Sequence, residues 1–204
     1  MTTLLLDLPR FVLRDFAESD RVSFIAYQSD PRYLALYDLD ATDTARAQHL
    51  FDRFLGWQTK EPRTEIQLGI FERHSGRLCG CAGLREITDD GAVFGIELTP
   101  DQWGRFALAF DVTTALLCYG FDVLKLDKIG GTTSSDNIRV ARLARWFGAC
   151  TTEEREGPTW MRVREAHEVD WMINVNRWRA AVATARGRQR LIASGQSDPE
   201  RPRP

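Results

Sequence analysis

The spacing of apolar and polar positions changes along the chain, and each change predicts an element. Residues 11–16, Phe-Val-Leu-Arg-Asp-Phe, alternate as a half-buried strand does. Ala17-Glu18-Ser19-Asp20 reads as a helix start with Ser19 or Asp20 as cap. The helix runs through Val22, Phe24, Ile25 and Tyr27 until Asp30-Pro31 breaks it. Residues 32–37 are rich in aromatics and fit a strand or a short helix. A second helix starts near Thr42 or Asp43, carries Ala47, Leu50, Phe51, Phe54 and Leu55 at three-to-four spacing, and ends around Gly56-Trp57. Residues 65–71 and 78–84 predict a hairpin, with Gly76 in its turn supplying a positive φ at low cost. A turn at 88–91 leads to the next antiparallel strand, 92–98, which Thr99-Pro100 ends.

From 106 to 124, Leu108, Val112, Ala115, Leu116, Tyr119 and Val123 follow helical spacing. Residues 126–133 predict a short strand. Residues 137–147 predict an amphipathic helix with Val140, Leu143, Ala144 and Phe147 on one stripe, stopped by Gly148. Two closing strands are predicted at 158–164 and 168–176, with a helix beginning near Trp178. The sum is a mixed α/β sheet with helices on its faces, a domain over residues 1–180. Residues 181–204 are rich in Arg, Ser, Gln, Gly and Pro and predict a partly disordered tail.

Composition narrows the partners. The chain has 204 residues, 43% hydrophobic and 27% charged, which is ordinary for a soluble domain. A formal net charge of -2 provides no global basic field that would call for nucleic acid. No apolar run approaches the length of a membrane span, and the N-terminus lacks the basic start and cleavage site of a signal peptide, so a cytoplasmic protein is expected. Of the 4 cysteines, Cys79 and Cys81 stand two apart in a strand, which places both on one face without the C-x-x-C spacing of redox or zinc sites. They read as reduced thiols used as small hydrophobes. His49, His74 and His167 are too far apart in sequence to form a local metal pair, and no metal is expected.

The chemistry gathers where strand 92–98 meets the long helix. A helix that opens directly after a small-residue turn leaves several N–H groups unpaired and carries a partial positive charge, so it suits a phosphate. Four segments in order resemble the GNAT N-acetyltransferase superfamily, and within it the RimJ/RimL type, which acetylates protein N-termini, amino sugars and small amines. They are Leu13-Arg14-Asp15-Phe16 with Ser19-Asp20; the run 95–105, Gly-Ile-Glu-Leu-Thr-Pro-Asp-Gln-Trp-Gly-Arg; the Asn137-led helix ending in Gly148; and the run 170–178 ending in Trp178. The resemblance covers roughly residues 10–178.

It implies a mostly antiparallel sheet with a splayed central strand pair, and acetyl-CoA or another acyl-CoA as co-substrate. It further implies direct attack on the thioester by a primary amine of a small molecule or peptide. The resemblance carries cofactor contacts onto Leu98 and Thr99 at the strand edge, onto Gly104, Arg105, Phe106, Ala107, Leu108 and Ala109 at the helix start, and onto Asn137 and Arg142. The family loop, Gln/Arg-x-x-Gly-x-Gly/Ala, fits here in two registers: anchoring on Gly104 puts Phe106 at a glycine position, while a one-residue shift puts Ala107 and Ala109 at the small positions. A ring filling that hollow would exclude a pyrophosphate. Glu97 is the candidate general base, and the alternative is a solvent-facing or arginine-paired carboxylate. The serine that some relatives place three residues after the helix Asn is Val140 here. Arg32, Tyr33, Tyr37, Trp57 and Trp160 are candidates to line the acceptor site, Arg32 suiting an acceptor's carboxylate or phosphate. Two rivals stay open: the same fold with an aminoacyl-tRNA or carrier-protein thioester as donor, and a non-catalytic binding homologue. Oligomeric state is open too, a homodimer included.

Overall fold

The computed structural model describes residues 4–41, 43 and 45–183; the disorder expected beyond residue 183, and Thr42 as a helix start, lie outside the described residues. The chain runs β1 (Leu5–Asp7), β2 (Phe11–Asp15), α1 (Arg21–Gln28), α2 (Pro31–Tyr37), α3 (Ala45–Trp57), β3 (Ile66–Glu72), β4 (Leu78–Arg85), β5 (Gly91–Leu98), α4 (Phe106–Cys118, prolonged by a π-turn Tyr119–Val123), β6 (Lys128–Ser134), α5 (Ile138–Trp146), β7 (Cys150–Arg155), α6 (Thr159–Arg162) and β8 (Glu168–Asn174). Residues 175–183 are helical. Among the described residues the strands form one sheet of 8, in the order β1-β2-β3-β4-β5-β6-β8-β7. All pairs are antiparallel except β5 with β6.

The apolar faces explain the layers. β3 and β4 are buried along almost their whole length, because helices cover both sides of them. On one face Leu108, Val112, Leu116 and Leu117 of α4 pack against Leu13, Leu68, Ile70, Leu84 and Ile129. On the other, an aromatic cluster from α1 and α3 surrounds Phe16, whose ring meets those of Phe24, Phe51, Phe54 and Phe71. Burying side chains of this size stabilises by roughly 1.5–3 kcal/mol each.

One open alternative closes, and several expectations change. The run 32–37 is helical, because Pro31 enters at the first helical position and the Asp30 side chain accepts from the Arg32 N–H at 2.8 Å. Residues 158–164 are not a strand: Met161 N–H bonds Pro158 O at 2.9 Å and closes the short helix α6. The strand beside β8 is instead β7, a polar edge strand exposed from Thr151 onward. Cys79 and Cys81 face opposite sides. The β3–β4 register slips between Ile70 and Phe71, and this bulge puts Cys79 in the α4 core and Cys81 in the aromatic cluster. All four cysteines are free thiols, Cys118 and Cys150 half-buried. Contrary to the expectation that no apolar run nears a membrane span, one helix among the described residues, Phe106–Val123, is long and apolar enough to cross a membrane by length and composition, with mean hydropathy 1.4. Here it is the core helix under the sheet, with Leu108, Val112, Leu116, Leu117 and Phe121 buried.

Candidate active site

β5 and β6 share only three rungs, the last being Val93 with Gly130, and then diverge. The Thr99 N–H points toward β4, where it donates to Cys79 O at 2.9 Å. Along a strand the backbone groups of successive residues point to opposite edges, so those of Ile96 and Leu98 point into the divergence. Of the two edge residues the sequence singled out, Leu98 faces the gap, while the Thr99 N–H is spent on β4. Just beyond, Gly104 has φ +83 and open space around it, and residues 104–107 are exposed.

α4 begins without a side-chain cap at Arg105. Among the described residues the Ala107 N–H has no acceptor. The Phe106 ring does not fill the bend: it is 42% exposed and leans toward Phe110, with the Arg142 guanidinium 5.6 Å from its centre. Of the helix-start candidates, the Phe106 N–H is spent on Gly104 O at 2.9 Å and those of Leu108 and Ala109 on Arg105 O at 3.1 and 3.3 Å, so the Ala107 N–H and the edge of β5 are what could meet an acyl-CoA's pyrophosphate and amide-bearing arm. Asn137 caps α5, its side-chain oxygen accepting from the Val140 N–H at 3.2 Å.

Glu97 projects from the opposite face of β5 to Phe94, toward α1 and α2. Its Oε1 accepts from Tyr27 Oη at 2.7 Å and Gln28 Nε2 at 2.5 Å, and its Oε2 from Tyr33 Oη at 2.6 Å. It is therefore neither solvent-facing nor arginine-paired. Burial raises its pKa above the usual carboxylate range, against the three hydrogen bonds and the nearby Arg46, which favour the charged form. Burial and the Glu97 charge also raise Tyr27, Tyr33 and Tyr37, and push Cys81, 3.5 Å from Tyr27 Oη, up to about 12. Arg46 holds Gln28 in place, donating to its side-chain and backbone oxygens at 3.0 Å each.

From Glu97 a row of rings leads outward: Tyr33 to Tyr37 at 4.9 Å, then Tyr37 to Trp160 of α6 at 5.6 Å. The structure thus brings together Glu97, Tyr33, Tyr37 and Trp160. It leaves Arg32 and Trp57 out of this row. Arg32 is exposed and paired with Asp30 at 2.7 Å and Asp101 at 2.8 Å, and Trp57 packs on Phe54 at 5.3 Å. Sequence reasoning passed over Tyr27 and Gln28. Their one signal was a tyrosine beside an amide at the end of the first helix. Among the described residues no group of three or more His, Cys, Asp or Glu is placed to hold a metal.

This sheet of eight strands with one parallel pair has counterparts. Residues 10–150 match the family described as Acetyltransferase (GNAT) domain. The chain belongs to that family, whose members move an acetyl group from acetyl-CoA to an amine. It is 26% identical over 147 residues to the Bacillus subtilis (strain 168) protein named Uncharacterized N-acetyltransferase YoaA, covering 71% of this chain and 81% of that one. Its fold is shared with the spermidine N-acetyltransferase from Vibrio cholerae solved with CoA and spermine (TM-score 0.68, 16% identity, 84% of this chain and 99% of that one). It is also shared with the ribosomal-protein-S5-alanine acetyltransferase from Vibrio fischeri (TM-score 0.70, 13% identity, 86% and 98%).

Proposed function

We infer that this chain is an acetyl-CoA-dependent N-acetyltransferase of the RimJ/RimL type, working in the cytoplasm on a primary amine of a small molecule or a peptide. One observation carries the reading: the edge of β5 left free by β6 runs from the start of α4 to the level of the half-buried, hydrogen-bonded Glu97. Acetyl-CoA supplies an acetyl group activated as a thioester. The Ala107 N–H at the start of α4, with Arg105 and Arg142, holds its phosphates, and the backbone of Ile96 with the N–H of Leu98 holds its arm. The acceptor amine enters along Trp160, Tyr37 and Tyr33, which shield it from water. Glu97 takes a proton from the amine as its nitrogen bonds to the acetyl carbon and the carbon–sulfur bond breaks; the departing thiolate takes its proton from solvent. Such a base contributes about 10²–10⁴-fold. An α-amine, with a pKa of about 8, needs it less than a lysine-like amine does.

Calorimetric titration with acetyl-CoA, followed by thiol release with peptide N-termini, polyamines and amino sugars, tests this reading. Heat on binding and thiol release with at least one amine class are expected. Absence of heat moves the reading to an aminoacyl-tRNA or carrier-protein donor. Heat without thiol release from any amine makes the chain a binding homologue.

A further inference from the structure

The carbonyl of Leu98, the last residue of β5, is not open. The indole Nε1–H of Trp103 donates to it at 2.9 Å. The loop is built to hold the ring there. Gln102, fully buried, anchors the turn through its N–H to Thr99 O at 2.8 Å, and Trp103 N–H follows to Pro100 O at 3.3 Å. Gly104, with φ +83, then turns the chain away toward α4. Trp103 is half-buried against the same edge that the acyl donor's arm would use.

We propose that Trp103 is a positioning residue that sets the register of the donor along β5; the inference rests on the acetyl-transfer reading above. With the indole seated on the Leu98 carbonyl, the first acceptor on this edge without a partner for an amide N–H of the arm is Ile96 O. Carbonyls on one edge of a strand recur every two residues, roughly 6.5–7 Å. A donor that slipped by one such step would carry its thioester that far from Glu97, well beyond the tolerance of an attack geometry. The indole therefore decides which of two placements the arm adopts, while touching neither reacting atom.

The test uses the full chain with its 6 tryptophans labelled at the indole nitrogen, the Trp103 signal being identified by its absence in Trp103→Phe. On saturation with acetyl-CoA the Trp103 signal is expected to keep its hydrogen-bonded position. Trp103→Phe, which keeps the ring bulk and loses the N–H, is expected to bind acetyl-CoA within about twofold of wild type, to lose about tenfold or more in kcat, and to release more thiol than acetylated amine. A Trp103 signal that moves to the free-indole position on adding acetyl-CoA would make the ring a displaced plug and overturn the proposal. So would a Trp103→Phe variant with unchanged kcat and equal amounts of thiol and product; either result leaves the acetyl-transfer reading standing. No heat and no shift in any indole signal removes that reading, and this inference with it.

Discussion

Glu97 is a half-buried carboxylate held by neutral donors. Desolvation outweighs the hydrogen bonds from Tyr33, Tyr27 and Gln28, so its folded-state pKa lies above the unfolded one. Between those two values the folded chain binds more protons, so this group's contribution to stability falls as pH rises through the window and then stays constant. Glu97→Gln, uncharged throughout, is expected to gain stability relative to wild type over that window and then level off, as urea unfolding at a series of pH values will show. The same variant should lose about 10²–10⁴-fold in kcat. Tyr33→Phe removes a donor that favours the charged carboxylate, so the pKa of Glu97 rises further and the ascending limb of the kcat/KM profile moves to higher pH. A limb that stays put would show that another group titrates there. In the sequence, Glu97 stood out by its place on the strand before Pro100. Its partners did not, because they come from two helices nearly 70 positions away, at separations of 70, 69 and 64 residues. Arg32 attracted notice by residue type alone, and only the folded chain shows Asp101 beside it.

At the scale of elements, the bulge in β4 sets the site as much as the strands do. Gly80 has φ +145, and a Cβ there would lie 2.1 Å from the Glu97 carbonyl oxygen. Gly80→Ala is expected to cost about 2–3 kcal/mol in denaturant unfolding, combining strain at positive φ with displacement of β5. Because the displaced residue is Glu97, kcat should fall in the fraction that remains folded. A variant as stable and active as wild type would show that β5 does not depend on this close approach. The elements legible in the sequence were the hairpin β3–β4, whose apolar runs are bounded by turn residues, and α3, α4 and α5, whose apolar residues keep a helical period. β7 escaped because its residues Thr-Thr-Glu-Glu-Arg bury neither face, and α6 because four residues are too few to show a helical period. A two-residue count between Cys79 and Cys81 cannot reveal an inserted residue, and one insertion reverses the face.

For the molecule as a whole, the sheet is five strands on one side of the divergence and three on the other, joined by three rungs, with α4 packed beneath. A donor seated along β5 and at the start of α4 binds only the folded chain. At a hundred times its dissociation constant, acetyl-CoA should therefore add about 2.7 kcal/mol of stability. For a chain of this size that raises Tm by about 5–10 °C, readable by scanning fluorimetry; an unmoved Tm would argue against the donor. The parting of the strands also leaves a mark on solvent contact. Central strands ordinarily give up their amide protons last. In β5 the even-numbered amides at Ile96 and Leu98 face the gap, whereas the Thr99 amide is locked to Cys79. Deuterium uptake should thus alternate along the middle of the sheet, fast at 96 and 98 and slow at 99, and a seated donor should silence the fast pair.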